Sequence, residues 1–282
     1  MAEATKPALD PGAARETYGP WAVIAGGSDG TGEAYARELA AVGINVMLVA
    51  RRAEVLEALA ADLREKHGVE ARTLVQDLMQ PDAAQNMLKA SADIDVGCYI
   101  SNAGVDGAGS KFFEQPSERW LRMITMNVQN LTEAVHGFGN RMLKRGRGGI
   151  VIMSSGAGLV GTPYLSMYSA TKGFEMLLAE SLWGELQGSD VDIVGVIAPS
   201  MTTPWFLKNV VGQDFKLGSD IKTPEQVAHD ALAALGRKQP LIMFPSPRRA
   251  APEEILGPRF QDLLKALESG KSYFPKGEKI EG

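Results

Sequence analysis

The sequence of 282 residues has few of the side chains that build metal sites and disulfides. It contains one cysteine, Cys98, and three histidines, His67, His136 and His229, and these are not spaced as metal ligands. We therefore predict no metal centre. Because a single cysteine cannot form an internal disulfide, the composition favours a reducing compartment, and we expect a cytoplasmic protein.

The chain also lacks an excess of positive charge and a long apolar segment. Lys and Arg number 29 against 34 Asp and Glu, a net charge of −5, so there is no basic footprint for nucleic acid. No apolar run approaches the roughly 20 residues that cross a bilayer. Residues 1–18 are polar, without an apolar signal core, and we interpret them as a surface-lying or flexible N-terminal extension.

What the sequence does contain is an alternation of apolar strands and helices. The predicted strands lie at residues 21–25, 45–50, 71–75, 94–101, 150–153, 191–198 and 241–244. They are apolar throughout, which is typical of a parallel sheet covered on both faces. With no repeat and no break in composition, we predict one α/β domain, a doubly wound parallel sheet of about seven strands with helices on both faces. The domain spans residues 19–268, and a tail at 269–282 follows.

A glycine-rich turn links the first predicted strand to the helix after it. It runs from Ala25 to Gly32 and reads Ala-Gly-Gly-Ser-Asp-Gly-Thr-Gly. Such a turn lets backbone amides approach a pyrophosphate at a helix N-terminus. The spacing differs from the usual Gly-x-Gly-xx-Gly fingerprint, and a glycine turn without a ligand is the alternative. The candidate contacts are Gly26, Ser28, Asp29, Gly30, Thr31 and Gly32.

The residues after the second strand bear on the choice of dinucleotide. An acid there would bind the adenosine ribose diol, but this chain has Arg51 and Arg52 instead. An arginine can form a charge-assisted contact with a 2′-phosphate, which favours NADP over NAD. The alternative is that both arginines are solvated residues at a helix start. Asp77, after the third strand, could contact the adenine amine or be an ordinary surface aspartate.

The candidate chemistry lies at residues 149–172. The predicted strand ends at Ser154 and Ser155, which are turn residues. From Ser166 the apolar residues recur at helical steps, so Tyr168 and Lys172 lie at i and i+4 on one helix face. A serine hydroxyl facing a phenol and an ammonium suits proton transfer to or from a hydroxyl or carbonyl oxygen. A surface Tyr–Lys pair beside a serine-rich turn is the alternative.

Together these motifs resemble the classical short-chain dehydrogenase/reductase family over residues 19–244. The matching positions are Gly26-xxx-Gly30-x-Gly32, Asp77, Asn102-Ala103-Gly104, Asn127, Ser155, Tyr168-xxx-Lys172 and Pro199 to Thr203. Within the family, the segments at residues 18–22, 28–30 and 34–36 look like the branch of 3-ketoacyl and 17β-hydroxysteroid reductases. The resemblance implies a Rossmann-like fold and NADP(H)-dependent interconversion of a ketone and a secondary alcohol.

The resemblance also implies a catalytic tetrad. Tyr168 would be the general acid in reduction and the base in oxidation, and Lys172 would favour the phenolate and hold the nicotinamide ribose. Ser155 would hydrogen-bond the substrate oxygen, with Ser154 as the second choice. Asn127 would mark a helix kink that anchors a proton-relay water; from the sequence alone an exposed helix asparagine is the alternative.

The resemblance adds further cofactor contacts and some departures. The added contacts are Leu78, Asn102, Ala103, Gly104, Tyr168, Lys172, Pro199, Thr202 and Thr203. The family usually has threonine at Ala25, asparagine at Ser101 and glycine at Ser200. The first two departures remove side chains that brace loops, and the third changes the backbone beside the nicotinamide.

Substrate contacts in the family come from the loop after the sixth strand, here about residues 203–220. We predict that its apolar residues form a lid over a hydrophobic substrate of steroid, acyl or aromatic type. Trp205 and Phe206 are the expected contacts beside Ser155 and Tyr168. The other apolar lid residues are Leu207, Val210, Val211 and Phe215. The alternative is an amphipathic helix that buries these residues in its own domain.

Two other functional classes are alternatives to an enzyme, a silent regulator and a scaffold. A catalytically silent dinucleotide-binding regulator would need no Tyr–Lys pair, and a scaffold would need no arginine after the second strand. We also predict a homodimer or homotetramer formed through the helices at 112–145 and 166–186. The apolar positions behind that hypothesis are Met123, Met126, Met142, Leu178, Leu182 and Trp183.

Overall fold

The computed structural model describes residues 7–104, 109–209, 221–245 and 250–273. Seven strands in these ranges form one parallel sheet in the order β3-β2-β1-β4-β5-β6-β7. They are β1 Trp21–Ala25, β2 Asn45–Ala50, β3 Ala71–Val75, β4 Val96–Ser101, β5 Gly148–Ser155, β6 Val191–Ala198 and β7 Leu241–Met243. The predicted doubly wound parallel sheet is confirmed.

Helices cover both faces of this sheet. In chain order they are α1 Pro11–Tyr18, α2 Gly30–Ala41, α3 Ala53–His67, α4 Ala83–Ala90, α5 Ser117–Ile124, α6 Leu131–Arg145, α7 Ser166–Glu185, α8 Pro204–Asn209, α9 Pro224–Gly236 and α10 Pro252–Tyr273. One apolar core contains residues of α2, α3 and α9, and the other contains residues of α4, α6 and α7. Successive strand residues such as Val23 and Ile24 enter opposite cores, because strand side chains alternate between faces.

The strand order reverses between β1 and β4, which lie side by side in the middle of the sheet. In open α/β sheets, ligands bind in the crevice at the carboxyl ends of the strands where this reversal occurs. The glycine turn follows β1 and the serine pair ends β5, so both lie at that edge.

The helix predicted within residues 112–145 is interrupted. A 3-10 turn at Phe112–Glu114 comes first, α5 follows, and a π-helical segment at Thr125–Asn130 separates α5 from α6. Asn127 and Asn130 lie in this segment and both are buried. Insertion of a wider turn into an α-helix shifts the register of its faces, and such segments are frequent at functional sites.

Part of the N-terminal segment predicted as a surface-lying or flexible extension forms a helix. Residues 1–6 lie outside the described ranges, but α1 packs on the sheet through Ala14 and Tyr18. The Tyr18 hydroxyl donates a 2.7 Å hydrogen bond to the Asp192 carboxylate, and both side chains are buried. Burial first, and then Asp192, raise the pKa of Tyr18 well above its usual value. The spacing of Ala14 and Tyr18 puts both on one helix face, which explains why this arm docks.

The end of the chain also differs in part. The last helix, α10, extends to Tyr273 and so enters the predicted tail at 269–282. It packs on α7, where Arg259 forms a two-point ion pair with Glu180 and Phe260 lies edge-on to Trp183. The loop predicted at about residues 203–220, after β6, includes the short helix α8. The limits of the extension at residues 1–18 and of the tail at 269–282 stay predictions.

Candidate active site

The glycine turn is held in place by backbone contacts that only glycine permits. Gly26 has φ +81° and Gly30 has φ +56°, a region in which other residues are strained. The amides of Gly26 and Gly27 donate to the Val49 carbonyl at 2.8 and 3.1 Å. A Cβ atom on Gly32 would collide with the Gly26 carbonyl oxygen. The turn therefore lies flat against the start of α2, as a pyrophosphate cradle requires.

Asn102, after β4, braces this turn. Its side-chain amide donates to the Gly26 carbonyl at 3.0 Å, and the backbone amides of Asn102 and Ala103 donate to the Ala25 carbonyl. A Cβ atom on Gly26 would lie 2.9 Å from the Ala103 nitrogen. The two loops thus form one rigid wall of the crevice.

The loop after β6 reaches the same place from the other side. Thr203 packs against Gly30, with its Cγ2 3.2 Å from where a Cβ of Gly30 would lie. The Thr31 hydroxyl contacts the Met201 sulfur at 3.3 Å. The predicted cofactor residues Pro199, Thr202 and Thr203 therefore belong to a segment that closes on the glycine turn.

The two arginines after β2 have different surroundings. Arg52 binds the Ser28 hydroxyl at 3.1 Å and forms an ion pair with Asp29, both in the glycine turn. Asp29 precedes α2 but makes no side-chain cap to it. Arg51 is exposed, and no side-chain contact of it is seen among the described residues. Arg51 is therefore free to meet an added anion, whereas Arg52 already stabilises the turn.

Asp77 and Leu78 follow β3. The segment after this strand is anchored by Asn130, a residue not predicted from the sequence. The Asp77 carboxylate accepts from the Met79 amide at 3.0 Å and lies 3.8 Å from Arg122. The buried Asn130 amide donates to the carbonyls of Leu78 and Gln80 at 3.0 and 2.7 Å. A second asparagine three residues after Asn127 was the only signal for it in the sequence.

The structure separates the two candidate serines. Ser154 is buried and its hydroxyl donates to the Lys172 carbonyl at 2.6 Å, which fastens β5 to α7. The Ser155 hydroxyl is partly exposed and accepts from the Ala157 amide at 3.2 Å, so its own proton remains available. Of the two, only Ser155 can donate to a molecule in the crevice.

Lys172 is buried, with 2% of its side chain exposed. Its ammonium lies 5.6 Å from the centre of the Tyr168 ring. It donates to the Met153 carbonyl at 2.8 Å and to the Glu175 carboxylate at 2.8 and 3.0 Å. Burial by itself would lower the pKa of Lys172, but Glu175 and Tyr168 raise it above its usual value. Lys172 therefore carries its charge inside the protein, beside the phenol ring.

Asn127 and Gly104 border the same space as this ammonium. A Cβ atom on Gly104 would lie 2.5 Å from the Lys172 Nζ and 3.2 Å from the Asn127 Oδ1. The Asn127 amide nitrogen donates to the Thr171 hydroxyl at 3.0 Å, while its buried Oδ1 has no hydrogen-bond partner among the described residues. A buried acceptor without a partner is costly and points to a group that joins it in use.

Glu175 was also missed by the sequence reasoning. It lies three residues after Lys172 on α7 and is 3% exposed. Burial raises the pKa of Glu175 to about 7, although Lys172 acts in the opposite direction. In the sequence, a glutamate within a helix of mixed composition gave no signal of burial.

The substrate side of the crevice is described only in part. Val210, Val211 and Phe215 of the predicted lid lie outside the described residues, as does the side chain of Trp205. Phe206 is half-buried at the start of α8, where its amide donates to the Thr203 hydroxyl at 3.2 Å. Val160 and Tyr164, between β5 and α7, are 68% and 57% exposed. These two leave an apolar rim close to the start of α7.

The residues at this edge fit a nicotinamide dinucleotide. Gly26, Gly32 and Gly104 lie where a Cβ atom would collide with neighbouring atoms. The buried Asn127 Oδ1 has no hydrogen-bond donor among the described residues. The described residues contain no cluster of three His, Cys, Asp or Glu side chains suited to a metal ion. In the same ranges, no helix combines the length and hydropathy that a bilayer crossing needs.

Comparison with known proteins gives a family match. The short chain dehydrogenase model matches residues 20–212. A 7beta-hydroxysteroid dehydrogenase from Collinsella aerofaciens is 31% identical over 81% of this chain and 87% of its own. The human inactive hydroxysteroid dehydrogenase-like protein 1 is 33% identical over 78% of this chain and 66% of its own. The structure of a short-chain dehydrogenase from Sphingobium yanoikuyae in complex with NADPH has a TM-score of 0.74 and 29% identity, over 87% of this chain and 95% of that one.

Proposed function

This chain belongs to the short-chain dehydrogenase family, and on that premise we propose that it is an NADP(H)-dependent oxidoreductase that interconverts a ketone and a secondary alcohol on a hydrophobic substrate. The observation that carries the proposal is the buried Lys172 ammonium, 5.6 Å from the Tyr168 ring centre and bordered by Gly104 and Asn127. A charged lysine beside a phenol, at the edge of the sheet where the glycine turn lies, has a direct use in proton transfer.

In the proposed mechanism, Tyr168 and Ser155 act on the reacting oxygen. In reduction, the Tyr168 hydroxyl gives its proton to the substrate oxygen, and in oxidation the phenolate takes it back. The Ser155 hydroxyl donates a hydrogen bond to the same oxygen, since its proton is not engaged by Ala157. The charge on Lys172 favours the phenolate. The Oδ1 of Asn127 accepts a hydrogen bond in the proton relay.

The dinucleotide, when bound, supplies or accepts the hydride. Backbone amides of Gly26 to Gly32 would hold its pyrophosphate, and Asp77 its adenine. Lys172 and Tyr168 would hold the nicotinamide ribose, and Pro199, Thr202 and Thr203 would cover the nicotinamide. We assign the 2′-phosphate of NADP to Arg51 and Arg52, because no acid stands at the end of β2.

The substrate is proposed to be a steroid, acyl or aromatic ketone or the corresponding alcohol. The exposed apolar rim at Val160 and Tyr164, with Phe206 at the start of α8, supports a hydrophobic molecule. The name of the Collinsella relative supports the steroid class. Trp205 is proposed as a substrate contact on the basis of the sequence.

A direct spectrophotometric assay with purified protein tests this function. NADPH or NADH is mixed with steroid ketones, 3-ketoacyl thioesters and aryl ketones, and the nicotinamide absorbance is followed. We expect oxidation of NADPH with at least one hydrophobic ketone and slower reaction with NADH. Tight NADPH binding without turnover on any of the ketones or the matching alcohols would contradict the proposed activity.

The second candidate is a catalytically silent dinucleotide-binding regulator. It is favoured by one contact, the ion pair that occupies Lys172 with Glu175, and by the name of the human relative described as inactive. It predicts dinucleotide binding with no turnover and no effect of Tyr168→Phe on any function. The intact set of Asn127, Ser155, Tyr168 and Lys172 supports the enzyme instead.

A further inference from the structure

The ion pair between Lys172 and Glu175 lies entirely inside the protein. The two side chains are 2% and 3% exposed, and their closest N–O distance is 2.8 Å. Both carboxylate oxygens contact the ammonium, at 3.0 and 2.8 Å. A buried pair with this geometry is held by strong attraction, because water does not screen it.

The chain itself offers hydrogen-bond acceptors to the ammonium. A lysine ammonium carries three N–H groups. The three acceptors that Lys172 contacts are the Met153 carbonyl and the two oxygens of Glu175. An additional acceptor competes with these three for the N–H groups. The Met153 carbonyl belongs to strand β5 and cannot move without disturbing the sheet, so a Glu175 oxygen is the contact that can be exchanged.

The exchange would take place at the space beside Gly104. A Cβ atom on Gly104 would lie 2.5 Å from the Lys172 Nζ. The Asn127 Oδ1, which has no hydrogen-bond partner among the described residues, borders the same space. The role proposed above for Lys172 requires it to donate to a ribose hydroxyl. Lys172 therefore has two competing acceptors, the Glu175 carboxylate inside the chain and the ribose of the dinucleotide.

We propose that Glu175 is a positioning residue that holds the Lys172 ammonium until dinucleotide binds, when Lys172 exchanges a Glu175 oxygen for a ribose hydroxyl and Glu175 takes up a proton from solvent. This inference rests on the proposed function, in particular on Lys172 contacting the ribose. No bond other than the new O–H of Glu175 is formed, and the proton comes from the buffer.

The surroundings of Glu175 explain why this carboxylate would take up a proton when dinucleotide binds. Burial already raises the pKa of Glu175 to about 7, and Lys172 is the charged group that holds it down. Weakening the contact with Lys172 leaves the burial effect less opposed, so the pKa of Glu175 rises further. Tyr168 faces the same ammonium, and Arg259 of α10 pairs with Glu180 rather than with Glu175. At pH 8 the carboxylate is mostly ionised before binding and gains a proton on binding.

Titration calorimetry of NADPH binding counts this proton. The same titration is run at pH 8 in two buffers with different ionisation enthalpies, and the difference in heat gives the number of protons exchanged. We expect uptake of roughly 0.5 to 1 proton per NADPH in the wild-type protein. At this pH the 2′-phosphate, whose second pKa is about 6, is already ionised and contributes little.

Two variants locate the proton. Glu175→Gln keeps the shape of the side chain but cannot titrate, and uptake should fall to near zero while NADPH still binds. Glu180→Gln is the matched control, because it removes a buried glutamate of the same helix from a different ion pair. It should keep the wild-type uptake. Where Glu175→Gln does not fold, Glu175→Met, which is similar in length and apolar, takes its place.

The outcomes separate this inference from the proposed function. NADPH binding to the wild-type protein without proton uptake would overturn the exchange and leave the proposed function standing. Equal uptake in Glu175→Gln and wild type would also overturn it. Failure of the wild-type protein to bind any nicotinamide dinucleotide would instead remove the proposed function on which the inference rests.

Discussion

At the scale of single residues, the crevice depends on one phenol and one ammonium that lie a helical turn apart. In the proposed mechanism Tyr168 supplies the proton, and the buried Lys172, 5.6 Å from its ring centre, supplies a positive charge. The two serines before them differ in their contacts. Ser154 connects β5 to α7 by a hydrogen bond, whereas Ser155 faces the crevice.

Tyr168→Phe removes the proton and keeps the ring. We expect ketone reduction to fall by roughly 10²–10⁴-fold, the range for loss of a general acid, and NADPH binding to persist. Steady-state kinetics and fluorescence titration measure the two quantities. Tyr164→Phe is the control, since it removes the hydroxyl of an exposed tyrosine in the preceding loop but keeps the ring that belongs to the apolar rim, and turnover should persist. Near-normal turnover in Tyr168→Phe would exclude this residue as the acid.

Arg51→Ala tests the choice of cofactor. Arg51 has an exposed charge and no side-chain contact among the described residues, so its loss should weaken NADPH binding by about 1.5–3 kcal/mol and leave NADH binding nearly unchanged. Arg52→Ala is the comparison. Because Arg52 also holds Ser28 and Asp29 of the glycine turn, its loss should weaken both dinucleotides. Equal losses for both cofactors in Arg51→Ala would contradict the assignment.

At the scale of elements, α7 connects the parts of the site. It carries Tyr168 and Lys172 near its start, takes a hydrogen bond from β5 through Ser154, and receives α10 at Glu180. Gly158, in the 3-10 turn after β5, makes this packing possible. A Cβ atom there would lie 2.6 Å from the Lys172 carbonyl carbon. The helix is thus fixed on both sides of the reacting residues.

The pH dependence of stability should report on Glu175 in this helix. Burial raises the pKa of Glu175 in the folded protein to about 7, from its usual 4.5. Its contribution to stability is therefore present below pH 4.5 and is lost as the pH rises through 7. Relative to Glu175→Gln, the free energy of unfolding of the wild-type protein should fall by at most about 3 kcal/mol over that window. Urea unfolding at several pH values measures it, and a constant difference would contradict the burial of this carboxyl.

At the scale of the whole molecule, the parallel sheet brings distant segments to one edge. The turn after β1, the arginines after β2, the loop after β4, the serines of β5 and the loop after β6 meet because parallel strands share their carboxyl end. The opposite edge is covered by α1, whose Tyr18 binds Asp192 at the start of β6. The proposed active site therefore lies at the carboxyl ends of the strands, and α1 packs at their amino ends.

We propose a homodimer or homotetramer formed through the helices expected from the sequence, but through other residues of these helices. Met123 and Met142 are buried within the chain, and the other four predicted interface residues pack against its core. Leu121 of α5 and Leu177 of α7 are 58% and 56% exposed on helices that contact each other. Light scattering should show an oligomer at micromolar concentration, and Leu121→Asp with Leu177→Asp should lower its mass. The exposed Leu264 of α10 gives the control, Leu264→Asp; a monomeric wild type would contradict the proposal.

The sequence by itself determined the order of the strands along the chain, the parallel sheet and the family. Apolar runs, glycine turns and helical spacing are local signals, since they follow from the geometry of the backbone and the period of each element. The four residues Thr-Pro-Glu-Gln at 223–226 are such a local signal, and the structure has a capping box of Thr223 and Gln226 at the start of α9. The pairing of Tyr168 and Lys172 on one helix face was likewise set by their spacing of four.

Only the tertiary structure decided which polar groups are engaged and which remain available. Ser154 and Ser155 are neighbours in sequence, but alternation along β5 sends only one of them to α7. The burial of Glu175 and the anchoring of Leu78 by Asn130 depend on segments that pack from elsewhere in the chain. Tyr18 and Asp192 are 174 positions apart. No local pattern encodes such contacts, because their free energy comes from neighbours that only folding brings together.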